Sequence, residues 1–231
     1  MTKKRIFLVD DHPLVREWLT NLINQQPDMR VCGEAEDATQ ALSVIAATQP
    51  DLSVVDLSLK AGLGIDLIKD LKRSHRDLFV LVLSMHEESL YAERALRAGA
   101  RGYIMKHEAA GTVITAIRQV LAGELYLSSQ MSAVVASKLA GDSLAPPGLP
   151  VTLLSDRELE VFELLGKGRE TKRIADDLDI SMKTVQAYCG RIKEKLRLAN
   201  ATELLREAIL WGEERNRVLY HSVRTGTAHG S

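Results

Sequence analysis

Apolar residues in the first half of the chain come in short runs, separated by longer stretches where they recur at helical spacing. The short runs, at 5–9, 30–35, 52–56, 79–83 and 102–104, are rich in β-branched residues and predict strands. The stretches between them, at 14–24, 38–47, 64–73, 88–98 and 109–121, predict amphipathic helices. Five strand-helix units in succession predict an α/β fold, a parallel sheet covered by helices on both faces. Such a sheet carries its ligand crevice outside the carboxyl ends of the strands, at the point where strand order reverses. In a flavodoxin-like order that point falls between the first and third strands.

Past residue 124 the pattern changes. One more helix is predicted over 128–140, on Met131, Val134, Val135 and Leu139, and a Pro/Gly-rich stretch at 141–150 marks a domain boundary. Beyond it no strand pattern remains. Ser155-Asp156-Arg157-Glu158 reads as a capping box opening a helix, with Leu159, Phe162 and Leu165 on one face and Gly166 and Gly168 at its end. A short helix at 171–178, a turn, and a helix capped by Ser181 and running to 197 form a helix-turn-helix pattern. A last helix is expected over 200–214, and the tail from 215 lacks periodicity. The expected divisions are thus 1–124, a linker at 125–150, a helical domain at 151–215 and a tail at 216–231.

Composition narrows the partners. The chain has 231 residues and a formal net charge of −1, so no global field attracts nucleic acid or membrane. The charge is local instead: five basic residues against one acidic lie between Ser181 and Arg197. No apolar run is long enough to span a bilayer, and the N-terminus leads straight into a strand. Cys32 and Cys189 have no metal or redox spacing, which fits a reducing cytoplasm.

Candidate chemistry gathers at the strand ends. Asp10 and Asp11 follow the first strand and Asp56 closes the third. Clustered carboxylates repel, so three at one rim call for a cation, with one carboxylate left to act as nucleophile. Ser84 closes the fourth strand and Lys106 follows the fifth, adding a hydroxyl donor and an ammonium on the same rim. The set suits phosphoryl transfer to a carboxylate in the presence of Mg²⁺.

On these residues, 4–121 resembles the receiver domain of two-component response regulators, and 151–214 resembles the LuxR-type output domain. The chain therefore resembles a NarL/FixJ-family transcriptional regulator. The resemblance implies a flavodoxin-like five-stranded receiver with Asp56 as phosphoacceptor. It implies Asp10, Asp11, Asp56 and the Ser58 backbone carbonyl as Mg²⁺ ligands. Ser84 and Lys106 would bind phosphoryl oxygens, and Tyr103 would be the aromatic that turns inward on activation. Ser84 stands where the family more often has Thr. His107 follows Lys106 where Pro is frequent, and a cis peptide there would cost about 3–4 kcal/mol for a non-proline residue. The implied partners are a sensor histidine kinase, double-stranded promoter DNA, a second copy on phosphorylation, and RNA polymerase, with no membrane. Catalysis would be limited to the receiver's own phosphoryl transfer and slow autodephosphorylation.

The second helix of the helix-turn-helix sorts by angle. Val185, Cys189, Ile192 and Leu196 form an apolar stripe, which places Cys189 at the core. Lys183, Thr184, Gln186, Ala187, Gly190 and Arg191 are expected at the DNA. Ala187 and Gly190 allow close approach in the major groove, Gln186 can read adenine, and Arg191 can read guanine or phosphate. Lys193 and Lys195, with Arg197, are expected at phosphates. Glu170 precedes the 171 helix where a small cap is usual. Two other readings remain: an aspartyl-phosphate phosphatase of the haloacid dehalogenase type, which needs Asp-x-Asp after the first strand where this chain has Asp10-Asp11-His12, and an adaptor whose output binds protein.

Overall fold

The computed structural model describes residues 2–59, 62–139 and 151–226, and for 137–139 and 214–226 the backbone only. The stretch expected to be the Pro/Gly linker lies outside the described residues. The chain divides into two compact units, Met1–Leu144 and Ala145–Ser231.

In the first unit β1 (Lys4–Val9), β2 (Met29–Ala35), β3 (Leu52–Val55), β4 (Phe79–Ser84) and β5 (Gly102–Met105) alternate with α1 (Pro13–Asn24), α2 (Ala38–Thr48), α3 (Gly64–Ser74), α4 (Glu88–Ala98) and α5 (Ala110–Leu121). Every pairing is parallel and the order is β2-β1-β3-β4-β5, the flavodoxin-like order expected. Period-two alternation sends Ile6, Leu8, Leu52, Val54, Leu81 and Leu83 to one face, where α1 and α5 pack with Leu19, Ile23, Val113 and Ile117. Both faces are covered, so β3 is buried at all four positions. After α5 the chain runs back beside β5: Tyr103 N donates to Tyr126 O at 2.9 Å, and Tyr126 N to Arg101 O at 3.0 Å. Helix α6 (Ser129–Leu139) follows, its Ser128 amide donating to Glu88 at the start of α4.

The second unit is helical among the described residues. A 3₁₀ turn (Val151–Leu153) leads to α7 (Asp156–Gly166), α8 (Thr171–Asp177), α9 (Met182–Leu196) and α10 (Ala201–Gly226). The capping box forms as expected: Ser155 N donates to Glu158 Oε2 at 2.7 Å, and Glu158 N to Ser155 Oγ at 3.4 Å. Helix α7 touches α8, α9 and α10, so it is buried beyond the single expected face, and Glu158, Glu160 and Glu163 are buried with Leu159 and Phe162. At Gly166 a Cβ would meet the Ala208 carbonyl oxygen at 2.5 Å, so glycine sets the approach of α10. Asp179, at φ 51°, makes the turn between α8 and α9. The last helix corrects the sequence reading. Instead of losing regular structure after residue 214, α10 continues to Gly226. No proline interrupts this stretch, and an existing helix gains a hydrogen bond with each residue added.

Candidate functional site

The site is built by adjacency of strand ends. β1 and β3 pair from Ile6–Leu52 to Val9–Val55, and Asp56 N continues the ladder to Val9 O at 2.8 Å. The chain therefore leaves β1 through Asp10 and Asp11 beside the point where it leaves β3 through Asp56. On the other side Ser84 pairs with Met105, and Lys106 N donates to Ser84 O at 2.8 Å. All five residues expected at the rim stand on it.

The carboxylates crowd. Asp10 and Asp56 are each 2% exposed, and Lys106 Nζ lies 2.7 Å from Asp10 Oδ2 and 2.7 Å from Asp56 Oδ2. Burial pushes the Asp56 carboxyl above its ordinary range against the pull of Lys106, and Asp10 adds to the rise. Burial also opposes the charge of Lys106, but Asp56 and Asp10 beside it prevail and raise its pKa. One ammonium thus serves two buried carboxylates while a third, Asp11, stands beside them. His12 Nδ1 lies 2.6 Å from Asp11 Oδ1, but that buried oxygen accepts no hydrogen bond. Asp10, Asp11, His12 and Asp56 each offer a ligand atom within 4.8 Å of the others. Hard carboxylate oxygens, excess negative charge and an orphaned acceptor fit a divalent cation.

Around this pocket the loops are tied together. Ser58 N donates to Asp56 Oδ1 at 3.2 Å, and Ser58 Oγ contacts His86 Nε2 at 2.9 Å. His86 N donates to Ser84 Oγ at 3.2 Å, and the Tyr103 hydroxyl donates to His86 O at 2.7 Å. Tyr103 is therefore turned inward, at 1% exposure. The Lys106–His107 peptide is trans, as are all those described. Sequence reasoning missed His86, whose contacts become visible only once β3 and β4 are adjacent. It also missed Gly64. A Cβ there would overlap the Asp56 carbonyl oxygen and come within 2.6 Å of Leu57 Cα, so only glycine lets α3 begin against the Asp56 loop. Its amide donates to Leu57 O at 2.9 Å.

In the second unit, Ser181 Oγ accepts from Thr184 N at 3.0 Å and starts α9 as expected. Val185 and Ile192 are wholly buried, Leu196 nearly so, and Cys189 is half-buried, its thiol pKa raised by burial against the pull of Lys193. Lys183, Gln186, Ala187 and Arg191 are exposed, while Thr184, Gly190 and Lys193 are half-buried. The Arg191 guanidinium lies 5.1 Å from the centre of the Tyr188 ring. Lys195, expected at a phosphate, is occupied within the protein: its Nζ is 2.6 Å from Glu158 Oε2. That pair ties the end of α9 to the start of α7. Glu170 is the N-cap of α8 but makes no capping hydrogen bond, its side chain being too long for the Asx-like geometry.

Comparison with known proteins agrees with both halves. Residues 6–118 match the response regulator receiver domain, and residues 152–208 match the bacterial regulatory proteins of the luxR family. The oxygen regulatory protein NreC of Staphylococcus carnosus is 34% identical over 209 residues, covering 89% of this chain and 96% of NreC. The DNA-binding transcriptional activator DevR/DosR of Mycobacterium tuberculosis is 34% identical over 199 residues, 86% of this chain and 91% of that protein. Among solved structures, RcsB from Salmonella enterica serovar Typhimurium, bound to promoter rprA in the presence of the phosphomimetic BeF3⁻, aligns with a TM-score of 0.60 at 26% identity, over 90% of this chain and 98% of that one. No helix among the described residues is long and apolar enough to cross a membrane. With the receiver rim in the first unit and a LuxR-type helical unit following it in the sequence, this chain belongs to the NarL/FixJ family of two-component response regulators, DNA-binding regulators of transcription.

Proposed function

We propose that a histidine kinase phosphorylates Asp56 in the cytoplasm and that the acyl phosphate promotes dimerisation and promoter binding through α9. The observation that carries this reading is one buried ammonium, Lys106, shared by two buried carboxylates beside a third. An Asp56 oxygen attacks the phosphorus of a phosphohistidine, the P–N bond breaks, and the imidazole leaves with the electron pair. Mg²⁺, held by Asp10, Asp11, Asp56 and the Ser58 carbonyl, would offset the charge on the transferring phosphoryl oxygens. Lys106, released from sharing Asp56, pairs with a phosphoryl oxygen. Ser84 gives up its contact with the His86 amide and turns its hydroxyl to another. The inward Tyr103 follows the His86 carbonyl that holds it, so the β4–α4 loop carries the change to α4 and α5, a population shift.

At the DNA, Gln186, Ala187 and Arg191 face the major groove, Lys183, Thr184 and Gly190 flank them, and Lys193 contacts phosphate. The receiver unit ends near 124 and residues 151–215 form the DNA-binding unit, with RNA polymerase as a downstream partner. RcsB is described both bound to a promoter and as two dimers on two parallel DNAs, which supports a dimeric mode here. The test is labelling with acetyl phosphate and Mg²⁺ followed by mapping of the modified residue. One phosphoryl group on Asp56 is expected, none in Asp56→Asn, and none in Asp10→Ala or Asp11→Ala with the fold intact. Full labelling of Asp56→Asn would overturn the assignment.

A further inference from the structure

The pocket of Asp10, Asp11 and Asp56 also holds an imidazole. His12 Nδ1 lies 3.2 Å from Asp10 Oδ1 and 2.6 Å from Asp11 Oδ1. Neighbouring ligands on an octahedral ion with bonds of about 2.1 Å sit roughly 3 Å apart. The two separations bracket that spacing, so one ion could take the ring nitrogen and both carboxylates as neighbouring ligands. The backbone fixes the ring there: the His12 amide donates to Asp10 Oδ1 at 2.9 Å, and His12 is the N-cap of α1, directly before Pro13. The Asp11 oxygen nearest the ring is the buried one that accepts no hydrogen bond.

A ring nitrogen changes what such a pocket prefers. Mg²⁺ keeps oxygen ligands and water, whereas imidazole suits first-row transition ions. We propose that His12 is a further metal ligand, through Nδ1, and that it makes this pocket select an ion such as Mn²⁺ over Mg²⁺. The inference rests on the reading of the pocket as a cation site. With Nδ1 on the ion, Nε2 carries the ring proton into solvent, consistent with a side chain 62% exposed. The competing arrangement keeps the ring outside the shell as a hydrogen-bond donor to the two carboxylates.

Calorimetric titration of the full chain with MgCl₂ and with MnCl₂, in wild type and His12→Asn, separates the two. Pulsed EPR of the Mn²⁺ form adds a direct readout of nitrogen coupling. The expected result is imidazole nitrogen coupling in the wild type and none in His12→Asn. Mn²⁺ affinity should fall at least about tenfold in the variant, with Mg²⁺ affinity little changed. No nitrogen coupling, coupling that survives His12→Asn, or equal losses for both ions would overturn the role of His12. Failure of the wild type to bind either ion would instead remove the cation reading itself, and Asp11→Asn, which should weaken both ions, marks that case.

Discussion

At the scale of single residues, Lys106 is the cation of a pocket that otherwise holds like charges. It neutralises one of the two buried carboxylates it touches, and Asp11 remains outside that pair. Lys106→Ala should therefore leave Mg²⁺ binding intact, because the metal ligands stay and one competing cation goes. What should be lost is the response: DNA affinity of the variant should no longer rise on phosphorylation of Asp56. Parallel titrations of Mg²⁺ and of duplex DNA, with and without acetyl phosphate, check this. A normal rise in DNA affinity would mean that the ammonium does not read the phosphoryl group. Residues of this kind are legible in a sequence because they end strands, and strand ends are set by the apolar pattern. Gly64 and His86 were not, since their roles depend on backbone and loop approaches that no local pattern encodes.

At the scale of elements, the capping box of α7 and the Ser181 cap of α9 form as their sequences require, but one pairing across elements was hidden. Glu158 serves both as capping-box residue and as partner of Lys195 on α9. Burial pushes its pKa up, but hydrogen bonds from Lys195 and Ser155 outweigh this and hold it below the ordinary value. A carboxylate depressed in the folded state contributes its full stability above the unfolded pKa, near about 4.3, and loses it as the pH falls through the folded pKa. Glu158→Gln should lower the stability of the helical unit near neutral pH by about 1 kcal/mol, since Lys195 is partly exposed and solvent screens the pair. The variant should then show a flatter acid limb than the wild type, measured by amide exchange in α7 and α9. Parallel acid limbs would remove the pair from the stability of this unit. On α9 itself, Gln186→Ala should change the base preferred at one position of each half-site, at about 1–3 kcal/mol on the preferred site. Lys193→Ala should weaken all sequences alike and flatten the salt slope by about one unit. The reverse assignment of effects would mean that α9 docks in another rotation. Its buried stripe of Val185, Ile192 and Leu196 was readable from spacing alone. The reach of α10 to Gly226 was not, because helix propagation needs no amphipathic signal.

At the scale of the whole molecule, two compact units divide the chemistry: the first carries the carboxylate pocket, the second the basic helix. Their architecture was legible because the first alternates short apolar runs with stretches of helical spacing, and the second keeps helical spacing alone. The run beside β5 at Tyr126 was missed because a single paired residue leaves no alternation to read. What joins the halves is the claim that Asp56 controls α9. The direct measurement is fluorescence anisotropy of a duplex selected from a random library by the phosphorylated chain, titrated with wild type and Asp56→Asn, each with and without acetyl phosphate and Mg²⁺. Affinity should rise with acetyl phosphate in the wild type alone, and Asp56→Asn should stay at the unphosphorylated level under both conditions. An equal rise in Asp56→Asn, or no rise in a wild type shown to be labelled, would contradict the control of DNA binding by this aspartate.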